Sequence, residues 1–209
     1  MAGPALRNRL TVLTYHSINA EFDPLAPADQ ITARLFAEQM REVADHFHVL
    51  PLPEAVEALK AGKLPPRALA ITFDDGYVNN LECALPILRA NRLTATFFVC
   101  TGYLEGGLMF NDMITEAVRR TGKPEYALPE LGMQAMRLDN DAQKALACDK
   151  LIQFAKYLPS QSRVALCARI WTDLTGSELP SAQSLRLNMS AEQVRGLHQA
   201  GMTIGGHTH

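Results

Sequence analysis

Apolar positions in the first half of the chain follow two alternating patterns. Short runs rich in β-branched and aromatic residues predict strands, at residues 9–15, 47–52, 68–73 and 94–99. Apolar residues three or four positions apart predict helices between them, at residues 33–46, 53–61 and 79–90. Strands that alternate with helices through short connections predict a parallel sheet, either open or closed into a barrel. In such folds the chemistry is expected at the carboxyl ends of the strands.

The pattern changes in residues 103–188, where no convincing strand is found and helices are predicted near 111–120, 141–157 and 160–172. Connections in compact domains are usually about 2–6 residues long, so this segment is predicted to be a mainly helical insertion beside or over the site. After it, Ser190 and Gln193 predict a capping box ahead of a helix. A strand is predicted at 202–206. We expect one catalytic domain over residues 1–209 that includes the insertion.

Composition narrows the class of protein. Hydrophobic residues make up 47% of the chain, charged residues 20%, and the formal net charge is −2, which is ordinary for a globular protein and does not favour a nucleic-acid partner. The 4 cysteines have no metal-ligand spacing, so we expect them to be reduced and structural. No window approaches the roughly 20 apolar residues of a transmembrane segment, and no signal-peptide pattern opens the chain. The predicted location is therefore cytoplasmic.

The strongest chemical signal follows the predicted strand 68–73, in the sequence Asp74-Asp75-Gly76. Adjacent side chains on a strand point to opposite faces, so both carboxylates can share one site only where the strand ends and bends. Gly76 supplies the conformational freedom for that bend. The alternative is that one aspartate merely caps the helix that follows.

Two further polar clusters follow predicted strands. Gly205-Gly206-His207-Thr208-His209 offers imidazole groups, which together with carboxylates suit Zn²⁺ and similar ions. Tyr15-His16-Ser17 follows the first strand, although a lone histidine is more often packed or hydrogen-bonded than a metal ligand. Three such clusters at strand ends favour one shared site, so Asp74, Asp75, His207 and His16 are predicted to converge.

These segments resemble the polysaccharide deacetylases of the NodB type (carbohydrate esterase family 4). TFDDGY at 72–77 resembles the family's first motif, IGGHTH at 204–209 the start of its second, and LTYHSI at 13–18 its opening strand. The resemblance implies a distorted (β/α) barrel, a divalent metal with Zn²⁺ favoured, and removal of N-acetyl groups from a glycan. By position, Asp74 resembles the general base, and Asp75 and His207 resemble metal ligands. His16 and Tyr77 are predicted to contact substrate, and His209 matches a variable position.

The family's later motifs have no counterpart in these 209 residues. We therefore expect the barrel to be incomplete at its C-terminus, with the third metal ligand and the general acid supplied from elsewhere. An open barrel edge predicts self-association. Metal binding by the chain as given is expected to be weak or absent, and the chain alone is expected to be inactive. Two alternatives stay open. One is a non-catalytic truncated deacetylase fold that binds glycan or a partner, and the other is a same-fold amidase acting on a small cyclic amide.

Overall fold

The computed structural model describes residues 8–27, 30–181 and 185–207. The strands are β1 Leu10–Tyr15, β2 Ile18–Asn19, β3 Ile31–Thr32, β4 His48–Val49, β5 Ala68–Phe73, β6 Thr96–Val99, β7 Glu125–Leu128, β8 Met133–Arg137 and β9 Thr203–Gly206. The helices are α1 Ala33–His46, α2 Leu52–Lys60, α3 Leu85–Ala90, α4 Phe110–Arg120, α5 Asp141–Lys156, α6 Ser160–Thr175 and α7 Ala191–Gln199. The chain divides into two compact units. Among the described residues, the sheet unit holds 8–22, 30–106 and 186–207, and the insertion unit holds 23–27, 107–181 and 185.

The sheet unit is built around β5. All of its residues are buried, as the apolar run predicted. β1 pairs along the whole of β5, β4 pairs with its first two residues and β6 with its last two, and β9 joins the far side of β6. Every one of these pairings is parallel, which confirms the predicted α/β class. The described strands form an open sheet in the order β1-β5-β6-β9, with β4 beside β5.

An aromatic cluster packs in the core of the sheet unit near the carboxyl ends of β1, β5 and β6. Tyr15, Phe73 and Phe97 are register partners on β1, β5 and β6. The rings of Phe73 and Phe97 stack with centroids 4.6 Å apart, and Phe36 of α1 meets Phe73 edge to face. Aromatic pairs in these geometries add stabilisation beyond their buried area. The cluster therefore packs the ends of β1 and β5 against β6, one residue before Asp74.

Several predicted boundaries differ from the structure. The strand predicted at 47–52 is shorter because Leu52 already begins α2, in which Pro53 lies in the first turn. The helix predicted at 79–90 starts with a π-helical turn, Asn80–Ala84, before α3. Pro86 has no N–H to bond the carbonyl of Glu82, so a regular α-helix cannot run through this segment.

The insertion unit contains the three helices that its apolar spacing predicted, now α4, α5 and α6. The expectation that residues 103–188 hold no strand was wrong, since β7 and β8 form an antiparallel pair. Gly132 provides the left-handed residue between them. Apolar residues of the three helices form this unit's core: Ile114, Ala117, Val118, Leu151, Ile170 and Trp171. The position of the insertion relative to the site stays a prediction, as does the single catalytic domain.

Within the described ranges we find no helix whose length and apolar character would let it cross a bilayer.

Candidate active site

The end of β5 turns sharply at the two predicted aspartates. The Asp74 N–H donates to the Tyr15 carbonyl at 2.9 Å, which extends the β1–β5 ladder by one residue. Asp75 then takes a left-handed conformation with φ of 71°, and Gly76 follows with φ of 74°. The Gly76 N–H closes the turn on the Asp74 carbonyl at 2.9 Å. Left-handed backbone is uncommon for a residue other than glycine, so neighbouring contacts must hold Asp75 in place.

The end of β9 brings His207 to this turn. Val99 and Gly206 are register partners, and the His207 N–H donates to the Val99 carbonyl at 3.0 Å. This continues the β6–β9 ladder and fixes the backbone of His207. Its Nε2 lies 3.5 Å from Oδ1 of Asp75, with the two side chains 36% and 20% exposed. The structure thus joins one residue from each of two predicted motifs in a half-exposed pair.

The other predicted site residues differ from this pair in burial and in the contacts that they make. Asp74 is half-buried and precedes Asp75 directly. Tyr77 is half-buried, and its backbone forms an isolated antiparallel bridge with Asn188. His16 is exposed at the end of β1 and forms no ion pair with either aspartate among the described residues. His209 lies outside the described residues, so its match to a variable position of the family motif stays a prediction.

Asp75 and His207 suit a divalent cation by their chemistry. Carboxylate oxygen and imidazole nitrogen are both ligands that zinc accepts. Their side chains meet at one point and remain open to solvent, as a metal with an exchangeable position requires. Within residues 8–27, 30–181 and 185–207, no group of three or more histidine, cysteine or acidic side chains is placed to hold a metal. The described residues therefore fit as two metal ligands and supply no third.

Sequence reasoning missed two residues that contact Asp75. The carbonyl of Asp75 accepts from Nδ2 of Asn188 at 2.9 Å and from the N–H of Cys100 at 3.4 Å. The Cys100 thiol also lies 3.8 Å from Oδ1 of Asp75. Asn188 is the last residue of the predicted insertion. The available signal was its position between Leu187 and Met189, two residues before Ser190, where the structure confirms the predicted capping box.

A comparison with known families matches the part of the chain that carries this turn. The family model described as polysaccharide deacetylase matches residues 61–125. The protein named "Putative polysaccharide deacetylase YxkH" from Bacillus subtilis (strain 168) is 32% identical over 93 residues, covering 44% of this chain and 32% of the relative. The matched segment thus spans about a third of the length of this curated relative.

Two solved structures are similar at low sequence identity. Streptococcus pyogenes deacetylase PplD in complex with acetate has 23% identity and a TM-score of 0.43, over 77% of this chain and 80% of that one. A de-N-acetylase from Aggregatibacter actinomycetemcomitans has 18% identity and a TM-score of 0.42, over 92% of this chain and 85% of that one.

Proposed function

We propose that this chain belongs to the polysaccharide deacetylase family, whose model matches residues 61–125, and that the protein is a metal-dependent hydrolase that removes N-acetyl groups from a polysaccharide or oligosaccharide. The matched residues include TFDDGY at 72–77, which supports the predicted resemblance. The observation that carries the proposal is the pair of Asp75 and His207, 3.5 Å apart at the end of β5, with Asp74 adjacent in the chain.

Each residue of the site has a proposed task. Asp75 and His207 hold a divalent cation, with Zn²⁺ favoured by the mixed oxygen and nitrogen ligands. Such an ion polarises an acetamide carbonyl and makes water a stronger nucleophile at neutral pH. Asp74 accepts the proton of the attacking water on its carboxylate. General-base assistance of this kind is typically worth roughly 10²–10⁴-fold in rate. Protonation of the leaving amine requires an acid that the motifs of this chain do not identify.

The proposed substrate is an N-acetylated glycan. His16 follows β1 and Tyr77 follows the turn, and both are proposed to contact the sugar. The half-exposed pair of Asp75 and His207 is open enough to receive an acetyl group on a long polymer. The outer edges of β1 and β9 carry unpaired backbone groups within the described sheet, and we propose that they mediate self-association.

A second candidate is favoured by one observation. The described residues supply two metal ligands, whereas catalytic zinc sites usually have three from the protein. A non-catalytic deacetylase fold that binds glycan would need neither a third ligand nor an acid. Such a protein would bind the N-acetylated oligomer without releasing acetate.

The deciding experiment measures acetate release from N-acetylglucosamine oligomers in the presence of Zn²⁺. The assay uses the complete gene product, and we expect it to release acetate. In the active protein, Asp74→Asn should abolish turnover and leave metal content unchanged, because the base is not a ligand. Asp45→Asn, which changes an exposed aspartate of α1, is the matched control and should retain full turnover.

Two results would count against the proposal. Full turnover by the Asp74→Asn protein would rule out Asp74 as the general base. Glycan binding by the complete gene product with no acetate release would favour the non-catalytic candidate instead.

A further inference from the structure

The turn at Asp75 depends on contacts outside its own strand. Asp75 has the left-handed φ of 71°, which an L-residue other than glycine adopts only when its surroundings impose it. This conformation sets the direction in which the Asp75 side chain leaves the backbone, and its carboxylate then meets His207. Whatever holds the Asp75 backbone therefore also holds this carboxylate in place.

Two donors hold the carbonyl of Asp75. One is the N–H of Cys100, at 3.4 Å, and this residue directly follows β6. The other is Nδ2 of Asn188, at 2.9 Å, which comes from the segment just before α7. The shorter of these two bonds is made by a side chain, so this contact depends on the identity of residue 188.

The backbone around Asn188 is fixed to the same turn. The Val78 N–H donates to the Leu187 carbonyl at 2.7 Å, and the Met189 N–H donates to the Gly76 carbonyl at 2.9 Å. These bonds place Asn188 opposite Tyr77. Its side chain has little freedom to turn away from the Asp75 carbonyl.

The burial of Asn188 indicates why its side-chain hydrogen bond to the Asp75 carbonyl matters. Asn188 is 2% exposed, and its Oδ1 has no hydrogen-bond partner among the described residues. A buried acceptor without a partner is unfavourable, and an apolar residue of similar size would avoid it. Asparagine supplies an N–H donor on Nδ2 at this position, and leucine would supply none.

We propose that Asn188 is a positioning residue for Asp75, acting through the Asp75 backbone and contacting neither metal nor substrate. The proposal rests on the proposed function, in which Asp75 is a metal ligand. Residues that orient metal ligands from outside the coordination sphere typically change metal affinity by about 10–100-fold when they are replaced. Asn188 is placed to have an effect of this size.

The test compares Asn188→Leu with Asn79→Ala in the complete gene product. Asn79 is the matched control because its amide makes two hydrogen bonds in the same unit, to Ile18 and Asn19, and neither reaches Asp75. Zinc affinity is measured by competition with a chromophoric chelator. Hydrogen exchange of the Cys100 amide, which bonds the same carbonyl, is measured without metal.

We expect zinc affinity to fall about 10–100-fold in Asn188→Leu. Exchange of the Cys100 amide should rise by at least about tenfold, since opening of the turn frees it. Asn79→Ala should change neither quantity. Unchanged zinc affinity and unchanged Cys100 exchange in a folded Asn188→Leu protein would overturn the proposal.

The two readouts separate this inference from the proposed function. If the unmodified protein binds no zinc, the metal centre of the proposed function fails, while the metal-free exchange of Cys100 still decides the role of Asn188. If Asn188→Leu does not fold, as judged by circular dichroism, Asn188→Ala takes its place, because alanine also lacks a side-chain donor. Failure of both variants to fold would assign Asn188 to the core and overturn the positioning role.

Discussion

Oδ1 of Asp75 and Nε2 of His207 lie 3.5 Å apart although β6 separates the strands that carry them. The turn after β5 folds over the end of β6 and so spans this strand. Gly76 lies so close to Val99 that an added Cβ would come within 3.0 Å of its Cγ1, and the Cys100 N–H bonds the Asp75 carbonyl. The site therefore requires a tight turn, a small residue at 76 and a β9 that extends to His207.

The proposed metal ligands can be tested by binding alone. In the complete gene product, Asp75→Ala and His207→Ala should each lose measurable zinc, because either change leaves a single donor of the pair. Asp74→Asn is the matched control and should bind zinc as the unmodified protein does. Equilibrium dialysis followed by elemental analysis gives the metal content. Equal zinc in His207→Ala and the unmodified protein would remove His207 from the metal site.

Gly76→Ala should destabilise the protein more than the same change at Gly62. Both glycines have left-handed backbone, with φ of 74° and 67°, which costs an alanine roughly 1–2 kcal/mol. Only at Gly76 would the new Cβ meet neighbouring atoms, 3.0 Å from Cγ1 and 3.1 Å from Cβ of Val99. Overpacking of this kind typically adds about 1–3 kcal/mol. Chemical unfolding of the two variants measures the difference, and equal losses would show that the turn can move away from β6.

Gly205→Ala should destabilise β9, and Gly206→Ala should not. A Cβ at residue 205 would lie 2.6 Å from Cδ1 of Phe98, whereas one at residue 206 meets nothing within 4 Å. We expect a loss of about 1–3 kcal/mol for the first and a change within about 0.5 kcal/mol for the second. In a Phe98→Ala background the clashing ring atoms are absent, so the Gly205→Ala change should cost much less stability there. Thermal unfolding of the single and double variants is the measurement, and an equal cost of Gly205→Ala in both backgrounds would contradict the packing.

The buried cysteines should resist thiol reagents at pH 8. Cys148 and Cys167 are each 2% exposed, and burial raises the pKa of both thiols to about 11. Because only the thiolate reacts, the reactive fraction at pH 8 is on the order of 1 in 1000 even before access is considered. Cys83 is half-buried and should react first. The labelling rate of each cysteine with a chromogenic disulfide measures this order. Denatured protein serves as the control in which every cysteine reacts. Rapid labelling of Cys148 in folded protein would contradict its burial.

Local sequence was sufficient for several regular elements of the sheet unit. α1 begins at Ala33 and ends at His46, and β5 begins at Ala68 and ends at Phe73, as the periodicity predicted. The capping box of α7 also matches. These features depend on interactions within a few residues, so the pattern of apolar and capping residues determines them.

The antiparallel strands of the insertion unit were missed for a physical reason. β7 and β8 read EYAL and MQAMR, which hold no β-branched residue and have no strong alternation. Their pairing is stabilised by contacts with the rest of their unit, including the buried side chains of Tyr126, Leu128 and Met136. Tertiary burial outweighs weak strand propensity in such cases.

The parallel α/β class and the polar residues that follow the strands could be inferred from the sequence alone. The left-handed turn of Asp75 over β6, the approach of His207 and the bond from Asn188 to the Asp75 carbonyl became evident from the tertiary fold. The first set follows from short motifs and local periodicity. The second set consists of contacts between residues far apart in the chain, whose formation depends on the pairing of β5, β6 and β9 and on the chain entering α7 beside the turn.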